Sequence, residues 1–263
     1  MRFIPALLVA ALLAVAAGCG ESDSPGEAAS VVPEEVAVYL SVDTAFEGDQ
    51  WRAATELLAR FPDGEGELEE LLDEAELREA LGPEAVFALL PGSVGADGEP
   101  PVVLLTQPDD VDAFDQLVEE SDAVRAEMRG WQVVAHDEEM LDRYREALDG
   151  PLLEGSDAFA GAMDGLPADA LARLYANGEA LLETLQELPT GLRPASLGLG
   201  GSIGAALRAE GEGFRVEGRA VPTDEEQAPA PEAYEAELAD EVPAAAIAFV
   251  SFNDLGSALE RYG

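Results

Sequence analysis

The chain has 263 residues, 48% of them hydrophobic, and a formal net charge of −41 from 55 acidic and 14 basic side chains. Every basic residue is arginine, and so acidic a chain repels DNA, RNA and anionic lipid surfaces, which excludes nucleic-acid binding. One cysteine allows no disulfide or zinc-thiolate framework, while the apolar content suffices for a buried core.

The chain opens on an export signal. Arg2 is the only charge before Glu21, and Phe3 to Ala17 is nearly unbroken Ala, Leu, Val and Ile. That run of about 15 residues matches a signal-peptide core and falls short of the roughly 20 that a bilayer span needs. The small residues Ala16, Ala17 and Gly18 then precede Cys19. This arrangement resembles the bacterial lipobox, in which the thiol receives a diacylglycerol and the cysteine becomes the new N-terminus. Residues 1–18 are expected to be a lipoprotein signal peptide, and Cys19 the lipid attachment site. Ala16 stands where lipoproteins usually carry leucine, and an ordinary secretory signal with a bystander cysteine is the alternative. The small, polar stretch Gly20 to Ser30 has no apolar period, so residues 19–31 are expected to be a flexible tether. The body would then sit on the extracytoplasmic face of the cell membrane.

The folded body is expected over 32–221. Val36, Val38, Leu40 and Val42 alternate and predict a strand. "DQWRAATELLARF" predicts a helix ended by Pro62, and a second acidic helix covers about Glu65 to Leu81. "AVFALLP" and "PVVLLTQ" read as a hairpin across a glycine-rich turn. An acid-started helix, "DDVDAFDQLVEE", follows, then the strand "GWQVVAH" and a helix from Glu138 to Leu148. "DAFAGAMDGL" gives a short helix, "LPADALARLYAN" a strand and "GEALLETLQEL" a helix. The runs flanking Gly211-Glu212-Gly213 form a hairpin. The pattern predicts an α+β fold: a mostly antiparallel sheet, helices packed on one face, and repeated strand-helix units.

The repeat lies in "VPEEVAVYLSVD", "LPADALARLYAN" and "VPAAAIAFVSFN", which run from Pro33 to Asp43, Pro167 to Asn177 and Pro243 to Asn253. Proline suits a strand start because it cannot donate to the ladder, and the closing Asp or Asn can cap a following helix. Residues 222–241, rich in acid and proline, read as a linker. Residues 242–263 read as the start of a second similar domain that the sequence cuts short.

These segments together resemble the bacterial domain-of-unknown-function family 3352, exported or membrane-tethered proteins of high-GC Gram-positive bacteria. The strand from Val31, the Trp-bearing helix to "RFP", "LGPEAVFALLPG" with "PPVVLLTQPDDVDAF", "DGPLLEGSDAFAGAMDGLPADALARLYAN" and the restart at "VPAAAIAFVSFND" carry the likeness. The shared features are packing positions. The resemblance therefore implies a fold and an address, and supplies no activity, cofactor or site residue. The short join between "GWQVVAH" and "DEEMLDRY" departs from it and implies a sheet lacking one strand.

Few residues stand out as chemistry. His136 with Asp137, Glu138 and Glu139 could ligate a metal or act as a base, but neighbours in sequence rarely converge on one ion, and a strand end followed by an acidic helix start accounts for them. Asp109, Asp110 and Asp112 lack the glycine turn and distal glutamate of a calcium loop, so helix capping is expected. "GLGGSIG", Gly198 to Gly204, lacks the lysine of a phosphate-binding loop and precedes a strand. Trp51 and Trp131 fall at core positions. No catalytic, cofactor-binding or metal residue is assigned. The expected function is a non-enzymatic binding or structural module of the cell envelope, acting on an unknown envelope protein or ligand. The alternative is a metal-assisted extracytoplasmic enzyme that uses surface carboxylates.

Overall fold

Among the described residues, eight strands form one open antiparallel sheet in the computed structural model, in the order β4-β5-β3-β2-β1-β6-β7-β8. The structure describes residues 27–60, 80–92, 100–121, 123–187, 200–211 and 213–223. The strands are β1 (Val38–Asp43), β2 (Glu84–Leu89), β3 (Val102–Thr106), β4 (Val124–Met128), β5 (Trp131–Ala135), β6 (Ala172–Asn177), β7 (Ser202–Glu210) and β8 (Gly213–Val221). Five described α-helices pack with them: α1 (Gly48–Leu58), α2 (Val111–Glu120), α3 (Glu138–Ala147), α4 (Asp157–Met163) and α5 (Gly178–Glu187). The fold is of the expected α+β class.

The repeated units meet at the centre. β1 and β6 begin at the fifth residue after Pro33 and Pro167 and end on Asp43 and Asn177. They pair antiparallel with Leu40 opposite Leu174. Because Leu40 and Leu174 also hold the same place in the repeat, a local two-fold axis passes between them. Among the elements described, the order on either side is the same: strand, helix, then two antiparallel strands, giving β1-α1-β2-β3 and β6-α5-β7-β8. The third copy of the pattern, the linker before it and residues 65–79 of the helix expected over Glu65 to Leu81 lie outside the described residues, while Ala80 and Leu81 are helical and buried.

Strand residues alternate between the two faces of the sheet. One face carries Tyr39, Val86, Ala88, Val103, Leu105, Val133 and Tyr175 into the larger core. The main helical layer, α3 and α4, covers this face through Met140, Leu141, Tyr144, Phe159 and Met163. The Phe159 ring meets Tyr39 and Tyr175 edge-on, at centroid distances of 5.7 and 5.2 Å. Opposite parity puts Leu104, Val134 and Ala209 on the other face. There α2 contributes Phe114 and Val118 to a small cluster, and α1 contributes Ala54 and Leu57 to a second.

Three local features differ from the sequence pattern. β4 has no apolar run, and its Arg125 and Glu127 hide it; it is an edge strand, hairpinned to β5 through Arg129 and Gly130, both at positive φ (52° and 83°). Glu27–Val31 form a 3-10 turn with Ala28 and Ala29 fully buried, so these five residues belong to the body and not to the segment before it. The turn is stitched down by Tyr144, whose hydroxyl donates to the Val31 carbonyl, and by Leu153 N–H to Val32 O at 2.8 Å. The last hairpin closes on the pair Glu210 and Gly213, so its connection is only two residues long.

Candidate functional site

Beside the two-fold axis, the repeat has been broken chemically. Tyr39 faces Tyr175 across the ladder on one side, and Ser41 faces Arg173 on the other. The first row is aromatic and the second is polar. Ser41 Oγ donates to Glu84 Oε1 at 2.5 Å, and Arg173 is only 8% exposed. Burial pushes the Arg173 guanidinium below its ordinary range, while Tyr39 and Glu84 act against that shift. Burial, reinforced by Glu84, raises the Tyr39 hydroxyl far above the usual tyrosine value. A charge this deep must be matched by opposite charge and hydrogen bonds. The row therefore fixes how β1, β2 and β6 register. It presents no nucleophile with a neighbouring imidazole.

The second place is the corner where β1 passes into α1. Thr44 pins the exit, its Oγ1 donating to Gly82 O at 2.7 Å and its N–H to Pro83 O at 3.0 Å. Asp43 Oδ1 then accepts from Ala45 N–H at 2.9 Å. Burial raises the Asp43 carboxyl, opposed by the hydrogen bonds from Ala45 and Trp51. Phe46 follows at φ 53°, a left-handed conformation that bulky side chains seldom adopt. Its ring packs 4.9 Å from that of Trp51, and Trp51 Nε1 donates to the Asp43 carbonyl at 3.1 Å. The indole is thus held in one orientation. Phe46, Glu47, Trp51, Thr55 and Glu56 line an open groove of about 620 Å³.

Glu47 holds the cap position of α1 with extended backbone, yet its side chain makes no capping bond. The other unit lacks this corner. There Asn177 caps α5 directly, its Oδ1 accepting from Ala180 N–H at 3.3 Å, and Gly178 opens the helix. The closing residue of the repeat therefore caps the next helix in one unit and ties a turn in the other.

The residues singled out from sequence are not gathered together. His136 Nε2 lies 2.9 Å from Asp137 Oδ2, and Asp137 Oδ1 caps α3 through Met140 N–H at 2.8 Å. Glu138 and Glu139 are exposed in the first turn of that helix. Asp110 caps α2 by accepting from Asp112 N–H at 2.9 Å and Ala113 N–H at 3.1 Å, while Asp109 and Asp112 are exposed beside it. Among the described residues no three His, Cys, Asp or Glu side chains are grouped to hold a metal ion. Trp131 is 4% exposed in the larger core, whereas Trp51 is half-buried at the groove. Of the Gly198–Gly204 segment, Gly198 and Leu199 are outside the described residues, and β7 starts at Ser202. A Cβ on Gly201 would meet Val221 O at 2.1 Å, so close backbone packing explains that glycine. Cys19 and the rest of residues 1–26 lie outside the described residues. Sequence reasoning missed the corner because nothing in "DTAFEG" announces a left-handed phenylalanine; the signal was the extra stretch between Asp43 and α1, which the second unit does not have.

No family model matches the chain, and no curated protein matches it. Among solved structures, crystal form III of TP0453 aligns with a TM-score of 0.34 at 13% identity, covering 74% of this chain and 78% of that one. Crystal form I of TP0453 aligns over the same shares at a TM-score of 0.30 and 13% identity.

Proposed function

We propose that this chain is a lipid-anchored protein of the extracytoplasmic face, working as a non-enzymatic binding or structural module of the cell envelope. The single observation that carries the proposal is the apolar run from Phe3 to Ala17 ending in Ala16-Ala17-Gly18-Cys19. Such a run is too short to span and is followed at once by an acylatable thiol. A folded body begins a few residues beyond, with Ala28 buried. A tether this short holds the body close to the headgroups. Membership of family 3352 belongs to this proposal. The test is the intact mass of the protein recovered from membranes, beside Cys19→Ser. A diacylglycerol-bearing Cys19 at the N-terminus is the expected result, and an unmodified, released wild-type chain overturns it. A melt separates the metal-assisted enzyme from this reading: a binding site would raise Tm at micromolar calcium, magnesium or zinc, beyond what matched NaCl does.

A further inference from the structure

We infer that the Asn177–Gly178 junction is a site of spontaneous covalent modification, by cyclisation to a succinimide and opening to aspartate or isoaspartate, which the folded sheet holds shut and which separation of β6 from β7 sets going. The inference concerns a reaction of the chain with itself and goes beyond the anchor and the envelope role proposed above.

The chemistry starts from the sequence. Asn177 and Asn253 are the two asparagines of the chain, and Asn177 is the one followed by glycine. In the reaction the Gly178 backbone nitrogen, having lost its proton to hydroxide, attacks the Asn177 side-chain carbon Cγ. The new N–Cγ bond closes a five-membered imide, and the Cγ–Nδ2 bond breaks as ammonia leaves. Water then opens the imide at either carbonyl. One opening leaves aspartate in a normal backbone. The other leaves isoaspartate, whose backbone runs through the former side chain and is longer by a carbon. A Cβ on the following residue crowds the attacking nitrogen, and glycine has none. Asp43 holds the same place in the first unit and is followed by the β-branched Thr44, so that unit lacks the reactive pair.

The fold closes this route from both sides. Gly178 is buried, and its N–H, the proton that must leave, donates to Gly201 O at 2.7 Å. Gly201 is itself clamped: a Cβ on it would meet Val221 O at 2.1 Å, so its carbonyl stays in place while β7 and β8 are paired. Asn177 is held as firmly. Its N–H donates to Ala37 O at 3.0 Å, its Oδ1 accepts from Ala180 N–H at 3.3 Å, and it stands opposite Ser202 in the β6–β7 register. To cyclise, Asn177 must give up the cap of α5 while Gly178 gives up Gly201. A buried, hydrogen-bonded amide meets hydroxide only when the structure opens around it. The folded chain is therefore modified at the unfolded chain's rate multiplied by the fraction open.

The two products differ in effect. Aspartate keeps an oxygen that can cap α5, and Asp43 shows that the repeat accepts this residue at that place. Isoaspartate moves Gly178 along the chain and away from Gly201, at the end of the ladder that joins the two units. A chain open long enough to form it no longer closes in register, so the junction turns a passing separation into a permanent one.

The test is mass spectrometry of peptides that span Asn177, after the full chain has stood in mildly alkaline buffer with and without guanidinium chloride. In denaturant Asn177 should gain the mass of an amide-to-acid exchange and divide into aspartate and isoaspartate forms, which electron-based fragmentation tells apart. In native buffer the same gain should be slower by about a hundred-fold or more. Gly178 needs no positive φ, so Gly178→Ala should fold and should stop the reaction in denaturant. Gly201→Ala, pressed against Val221, should speed the reaction in native buffer. Asn177→Asp should keep the wild-type Tm, and the purified isoaspartate chain should not recover it. Equal rates with and without denaturant overturn the inference that the fold holds the site shut. An unreactive Asn177 in denaturant, or a reaction that survives Gly178→Ala, overturns the site itself. An isoaspartate chain that refolds to the wild-type Tm overturns the permanence of the change.

Discussion

Gly204 lies where α4 crosses β7, and a Cβ there would sit 2.0 Å from the Ala162 carbonyl oxygen. Helix and strand approach so closely that only glycine fits. Gly204→Ala should therefore cost about 1–3 kcal/mol, read as a Tm lower by about 2–4 °C per kcal/mol. Gly218→Ala, whose nearest contact would be Gly204 O at 3.6 Å, is the control and should melt within about 0.5 kcal/mol of wild type. Tyrosines set a second residue-scale expectation. Burial lifts the hydroxyls of Tyr39 and Tyr144 well above the ordinary tyrosine value of about 10. Below that pH both the folded and unfolded chains hold the protons, and the stabilisation is complete. Above it the unfolded chain sheds protons first, and the stabilisation drains away as pH climbs toward the folded values. Tm should fall on raising the pH past about 10, and fall less steeply in a Tyr39→Phe/Tyr144→Phe variant. The aspartate caps were legible in the sequence because a cap bonds residues two or three positions away. The meeting of Arg173 with Ser41 and Glu84 was not, since it depends on which strands become neighbours.

At the scale of elements, helix starts differ in how well they are capped. Asp110 accepts two amide bonds at the head of α2, and Asp110→Ala should destabilise by about 1 kcal/mol. α1 is the opposite case. Glu47 already has the extended backbone of a cap, φ −123° and ψ 176°, without the bond. Glu47→Ser should supply it and add about 0.5–1 kcal/mol in a denaturant melt. Most elements were readable because their apolar periods are strong, as in β2, β3 and α2. β4 was not, for an edge strand shows solvent its Arg125 and Glu127 and needs no apolar run. The alternation at Val36, Val38, Leu40 and Val42 found β1, but within the strand Val38, Leu40 and Val42 mark the face away from the larger core, while Val36, just before it, is buried in that core. A central strand is buried on both sides, so the residues between, Tyr39 above all, carry as much of the packing.

For the whole molecule, charge outweighs every other feature of the surface. Fifty-five acids with no lysine repel one another across any compact shape, and dissolved ions relieve that repulsion within a Debye length. Tm should rise steeply with NaCl from low salt, by about 2–4 °C for each kcal/mol relieved. A melting temperature that stays flat up to molar NaCl would count against this account. Fold class and the repeat could be read from one sequence because both are written in local patterns. The two-fold relation of the halves could not, because it depends on β1 choosing β6.

That choice also governs the order of folding. The β2–β3, β4–β5 and β7–β8 hairpins join segments close along the chain, and such pairs form within microseconds. The β1–β6 ladder must instead gather strands separated by the whole first unit, which costs loop-closure entropy and slows the last step. Until Asn177 is in place, β1 is an unpaired edge with Tyr39 and Leu40 bare on opposite faces. A chain stopped at residue 171 should therefore aggregate, as light scattering would report, whereas one that reaches 223 should refold, with the docking of its two halves as the slow phase.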